Sequence, residues 1–204
     1  MRALPTLLIV LALVLIPRSH AGATTVLQVD VPAMTALSDW IVDARVLRTD
    51  YVDLRPEGKG LFTDVTLAID DVFKGEGVPR SYVMRLMGGQ ARDGLALTVP
   101  GMPIFTPGER AVLFLEKTNI GHVPCGLGQG VWRVLRTNTS HPWVEQSSAG
   151  LNMMSRDATG NLKVVEPELA SWGLPLVRLI EEIYAALDQP PAAPAPTRSN
   201  IVAP

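Results

Sequence analysis

The 204-residue chain reads as a mainly β domain: a small β-barrel with a short N-terminal helical turn and one C-terminal amphipathic helix. Three observations predict this. Five to seven short runs of strand-forming residues are separated by turn signals drawn from 17 glycines and 17 prolines. One run loses its alternation midway, which marks a bulged and bending strand of the kind barrels use at corners. A long apolar stripe at helical spacing occurs once, near the C-terminus. A β-sandwich would share the strand count.

The elements follow in chain order. Thr25–Val31 alternates weakly and predicts a first strand. Met34, Leu37 and Trp40 share one face of a short helical turn. Ile41–Arg48 is a strand, with Val42, Ala44 and Val46 on one side. Asp50–Gly60 is a polar loop broken by Pro56, Gly58 and Gly60. Phe62–Lys74 is the longest strand: Val65, Leu67 and Ile69 alternate cleanly, and the phase then slips at Asp70-Asp71. An extra residue there flips the faces, and a bulge restores them. After the turn at Lys74–Pro79, Tyr82, Met84 and Leu86 mark a strand, and Leu95–Val99 marks another. Pro100–Pro103 and Thr106–Glu109 are two close turn signals. The run Ala111–Leu115 is apolar throughout and predicts a strand buried on both faces. Gly121–Leu135 holds one or two strands, and Asn161–Glu166 an edge strand. Leu176, Leu179, Ile180, Ile183 and Leu187 form the stripe of a helix over 174–187, with Pro175 in its first turn and Ser171 as a nearby cap.

The ends read differently. Arg2, the apolar run Leu4–Ile16 and the small residues Ala21-Gly22-Ala23 predict a secretory signal peptide, residues 1–23, cut after Ala23 or Ala21. The run is shorter than the ~20 residues of a permanent span, which sets an uncleaved anchor below cleavage. No cysteine directly follows it, so lipid attachment at a lipobox-type cysteine is excluded. Residues 24–188 are then a single domain, and Gln189–Pro204, rich in proline and alanine, is an extended tail with almost nothing to bury. The formal net charge of −2 becomes −4 once Arg2 and Arg18 leave with the leader. That balance, with the exported location, argues against nucleic acid as a partner. A secreted or periplasmic chain whose one cysteine is Cys125 holds its fold without an intrachain disulfide.

Several segments resemble a family of uncharacterised secreted bacterial proteins over roughly residues 26–187. They are Ala36–Val42, Phe62–Leu67 leading to Val72–Gly77, Gly88-Gly89, Val99–Arg110 leading to Leu113–Leu115, and Gly126–Val134. A valine-rich strand ending in Lys74-Gly75, followed later by Pro107-Gly108-Glu109-Arg110 and an apolar strand, is more distantly similar to netrin-like domains, which include the tissue inhibitors of metalloproteinases. That resemblance implies an OB-type barrel. Those inhibitors reach the protease zinc through a cysteine at the mature N-terminus. Here that end is Thr24 or Gly22, so the inhibitory mechanism does not carry over residue by residue.

Candidate chemistry is sparse. His122 and Cys125, three residues apart, could form a thiol–imidazole pair or two metal ligands, but catalysis needs an orienting third group and zinc needs three or four ligands. The other histidine of the mature chain is His141. A loop histidine and a buried thiol is the preferred reading. Gly126-x-Gly-x-Gly opens a strand rather than a helix and reads as turn chemistry, not a phosphate loop. Asp70-Asp71 could bind a cation or act as an acid–base pair, yet adjacent strand residues point to opposite faces unless a bulge intervenes. Asn138-Thr139-Ser140 matches a glycosylation sequon. Trp132, Trp143 and Trp172 could line a groove and more often pack a core or rim. No cofactor fingerprint and no metal site is expected, and no catalytic residue is assigned.

The expected function is therefore an exported, non-enzymatic binding or accessory module whose partner is a protein of the envelope or a secreted protein such as a protease, with membrane contact limited to export. The expected binding residues are Met102, Ile104 and Phe105, on a surface that includes the mature N-terminus and the loops 88–94 and 100–108. The alternatives are an exported thiol-dependent hydrolase or other enzyme using Cys125 and His122, and an envelope structural protein.

Overall fold

The computed structural model describes residues 24–135, 142–147, 150–157, 159–165 and 173–188. The expected signal peptide, the tail 189–204, Asn138, His141, Ser171 and Trp172 lie outside them. No helix among the described residues is long and apolar enough to cross a membrane.

Strand β1 (Thr24–Leu27) leads into helix α1 (Val31–Leu37). The Asp30 carboxylate accepts the Ala33 amide at 2.8 Å and caps the helix, and Pro32 sits in the first turn, where its missing N–H costs nothing. At the other end Lys74 Nζ donates to the Thr35 carbonyl at 2.7 Å, satisfying an acceptor the helix leaves open.

β2 (Trp40–Asp53) and β3 (Leu61–Lys74) form a long antiparallel pair. β2 runs five residues past its expected end at Arg48, because Thr49–Val52 keeps pairing with Phe62–Val65 and cross-strand pairing outweighs the turn preference of Asp50. The loop shrinks accordingly, to 54–60. Asp43 faces Asp71 while Ala44 faces Ile69, so Asp70 is the extra residue of a bulge; further shifts set Phe73 and Leu47 out of register.

β4 (Ser81–Met87) pairs with β3. The strand expected over 95–99 is a two-residue bridge, β5 (Gly89–Gln90) against β6 (Ala96–Leu97). β7 (Arg110–Thr118) turns into β8 (Gly121–Pro124), and β9 (Val131–Leu135) follows. The remaining strands are β10 (Trp143–Gln146), β11 (Leu151–Arg156), β12 (Leu162–Val164) and β13 (Gly173–Pro175). β10, β11 and β13 carry too few alternating residues to be read from the sequence. Helix α2 spans Leu176–Leu187, two residues shorter than expected at its start, because Leu174 and Pro175 pair with β10.

The main sheet has the order β13-β10-β9-β7-β2-β3-β4, with β8 on the far end of β7; β1, β11 and β12 make a second, three-stranded sheet. The main sheet curls, since β4 and β8, three strands apart along the ladder, meet where the His122 amide donates to the Tyr82 hydroxyl at 2.7 Å. No backbone ladder joins them, so the wall is barrel-like with an open seam. The chain is thus mainly β with an N-terminal and a C-terminal helix.

Two apolar clusters lie on the sheet's two faces. Val42, Ala44, Val65, Leu67, Met84, Leu86 and Leu113 fill the inside of the curl. Ile41, Val112, Phe114, Trp132 and Val144 meet Met34 of α1 and Leu179 and Ile183 of α2 on the outside. β7 supplies alternate residues to both clusters, which is why its sequence is apolar without interruption.

Candidate functional site

A groove of about 240 Å³ opens at one end of the curl. Its floor is Val65, Leu86 and Phe105; its sides are Thr49 and Tyr51 of β2, the β5–β6 chain, and the loop Met102–Phe105. The three expected binding residues all line it, with different roles. Phe105 is 6% exposed and belongs to the core, Met102 packs against that core half-buried, and Ile104 stands 82% exposed on the rim. Tyr51 faces it across the groove at 64% exposure, and Met87 and Leu97 complete an apolar rim.

Arg133 of β9 holds this loop. Its guanidinium donates to Glu109, to the Ser147 hydroxyl at 2.9 Å and to the Ile104 carbonyl at 2.6 Å, and lies over the Phe105 ring at 5.8 Å. Glu109 in turn accepts the Thr106 amide at 2.9 Å. Ile104 is therefore an exposed apolar side chain on a backbone anchored from below rather than on a loose loop tip. The same face includes the first described residue: the Thr24 hydroxyl donates to the Pro100 carbonyl at 3.0 Å, and Thr24 N–H to Gly150 at 3.2 Å.

The charges around the rim are balanced within the chain. Arg48 pairs with Asp50, Arg55 bridges Asp53 and Asp93, Lys59 pairs with Glu57, and Arg85 donates twice to Asp64. The Arg55 guanidinium holds Asp53 below the ordinary carboxylate range; for Asp93 the Leu95 amide does so first, with Arg55 second. Arg92 alone on this rim has no ion pair among the described residues. The neutral side chains Thr49, Tyr51, Gln90 and Thr98 line the groove with no hydrogen-bond partner for their polar atoms among the described residues.

The other sequence candidates do not assemble into a site. Cys125 is 2% exposed, its sulfur lies 3.4 Å from the Ser38 hydroxyl, and burial pushes its thiol up to about 11, the opposite of an activated nucleophile. His122 lies in the other direction, stacked on Trp40 with ring centroids 3.6 Å apart, and desolvation lowers its pKa. No hydrogen bond joins the two among the described residues. Asp70 pairs with Arg45 and Asp71 accepts the Val72 amide, so the two carboxylates part company. No group of three His, Cys, Asp or Glu among the described residues could hold a metal. Leu127–Gly130 is a single turn of 3-10 helix that leads into β9: Leu127 has φ +62°, and a Cβ on Gly130 would come within 2.7 Å of the Phe114 carbonyl oxygen. Trp132 is buried under the helices, and Trp143 stands exposed on the neighbouring strand β10, opposite Leu135.

Gln90 falls within the expected loop 88–94, whereas Thr49 and Tyr51 were not legible as groove residues, since they follow the point where the apolar alternation of β2 stops; the alternation of Thr49, Tyr51 and Asp53 was the available signal. Arg133 could not be found at all, because its partners lie 14 to 29 residues away. Comparison with known proteins found no matching family model, no matching curated relative and no matching solved structure.

Proposed function

We propose that this chain is an exported, non-enzymatic binding module that holds an apolar segment of a protein partner in the groove walled by Met102, Ile104 and Phe105. The observation that carries the reading is the pairing of a heavily exposed isoleucine with a backbone pinned by Arg133. A soluble domain has no reason of stability to fix Ile104 in water, whereas a binding surface gains by presenting an apolar anchor at low entropic cost. The partner in this reading is a protein of the envelope or a secreted protein, a protease included.

The test uses residues 24–204 as bait against secreted and envelope proteins of the source organism, beside Ile104→Asp. The expected result is one protein enriched by the wild-type chain and lost with the variant, while circular dichroism shows both folded. Equal capture by the two baits would sink the reading. Ile104 makes no core contact, so the substitution should change stability by less than about 0.5 kcal/mol.

A further inference from the structure

We infer that the open edge of β2 at Thr49–Asp53, together with the groove beside it, is a strand-addition site for an extended, uncharged peptide segment carrying one large apolar side chain. This rests on the binding-module reading and names the chemistry of the partner. The backbone argument comes first. The Leu54 N–H donates to the Gly60 carbonyl. In an antiparallel pair, residues bonded to the partner alternate with residues that point away. The bonds from β2 to β3 therefore fall at Val52, Asp50 and Arg48, and the N–H and C=O groups of Thr49 and Tyr51 face the other way. On that side β7 pairs with β2 over Trp40–Arg45, and Gly108 and Glu109 reach Val46; beyond Val46 no backbone partner follows among the described residues. The bulge at Leu47 sits where the pairing changes over.

The side chains agree. Thr49 and Tyr51 line the groove, so a strand laid beside them sends its alternate side chains to the same side. The space is about 240 Å³, below the ~300–1,000 Å³ of small-molecule sites and of a size for a large side chain. Charge complementarity selects the occupant. No charged residue lines the groove, Arg92 lies on the neighbouring depression with Asp53 and Arg55, and the other acids and bases of the rim are mutually paired, so a charged side chain entering the groove would lose hydration and find no counter-charge there. What is unpaired is neutral: the outward N–H and C=O groups of Thr49 and Tyr51 on the edge, and the side chains of Thr49, Tyr51, Gln90 and Thr98 around the groove. An extended peptide matches both sets, with main-chain bonds for the edge and an apolar residue for the floor.

The probe is a capped, dye-labelled peptide, acetyl-Ser-Thr-Val-Thr-Leu-Thr-Val-Ser-amide, titrated into residues 24–204 by fluorescence anisotropy. Two control peptides carry either N-methyl groups on alternate backbone amides or aspartate in place of the central leucine. The expected result is saturable binding of the first peptide, weakened at least roughly tenfold by either change, about the effect of one or two lost hydrogen bonds, and weakened likewise by Ile104→Asp. Equal binding of the N-methylated peptide would overturn strand addition and leave the groove as a side-chain site. No binding of any peptide to the folded chain would overturn the inference, while the capture experiment with Ile104→Asp decides the broader reading separately. A concentration-dependent dimer in light scattering that Tyr51→Lys dissolves would also overturn it, because the occupant would then be a second copy.

Discussion

His122 shows how a single environment sets a residue's role. Its ring is stacked on Trp40 and edge-on to Tyr82, and burial is the main reason its pKa falls; Lys117 adds to the shift and Asp39 opposes it. A histidine whose folded pKa lies below its unfolded value takes up a proton more readily when unfolded. Stability therefore falls as pH drops through the ordinary histidine range near 6.5, and keeps falling until the folded ring is itself protonated. His122→Phe keeps a flat ring against Trp40 and removes the titration. The wild-type melting temperature should fall relative to that of His122→Phe as the pH is taken from about 8 to about 5, and parallel curves would show that the histidine's burial does not matter. Cys125 behaves differently: with burial raising the thiol to about 11, it is a small core group touching Ser38.

Among the elements, α2 has the clearest energetic role. Its apolar stripe puts Leu176, Leu179 and Ile183 into the outer cluster with Met34, Phe114 and Val144, and it has no side-chain cap at its start. Packing rather than local propensity holds it. Leu179 is fully buried, so Leu179→Ala should cost about 2–5 kcal/mol, read as a lower urea midpoint with an unchanged slope. A cost under 1 kcal/mol would mean that the helix is not firmly docked. β7 is the counterpart within the sheet, since its five residues Ala111–Leu115 alternate between both clusters and it cannot lose its apolar character on either face.

For the whole molecule the open seam is the feature to probe. The ladder ends at β4, and the curl is bridged toward β8 by the Tyr82 hydroxyl, the Trp40–His122 stack and the inner cluster, without backbone pairing. Side-chain bridges are weaker than ladders, so this is where the fold should open first. Tyr82→Phe removes the acceptor for the His122 amide and should lower stability by about 1 kcal/mol, with faster amide exchange concentrated in Ser81–Met87 and Gly121–Pro124. Uniformly faster exchange across all strands would show that the seam is no independent unit. The groove sits at the other end of the same wall, where β2 and β3 extend past β7, and takes its β4 lining from Leu86 and Met87, whereas the seam is bridged at Tyr82.

Local pattern was enough for much of this. The period-two runs named β2, β3 and β4, the unbroken apolar run Ala111–Leu115 named β7, the lost phase at Asp70 named a bulge, and the single 3.6-residue stripe named α2, because each is written in neighbouring residues. The apolar loop Met102–Phe105 was also visible as a candidate contact. What folding decided is everything that depends on residues far apart. Thr49–Val52 became strand because Phe62–Val65 lies opposite, β1 found β11 more than a hundred residues away, and Arg133 became the anchor of Ile104 through Glu109 and Ser147. His122 and Cys125, three residues apart in the chain, went to different surroundings, one against Trp40 and the other against Ser38. Periodicity is a local quantity and survives in the sequence; pairing, burial and charge partnership are properties of distance in space, which only the folded chain defines.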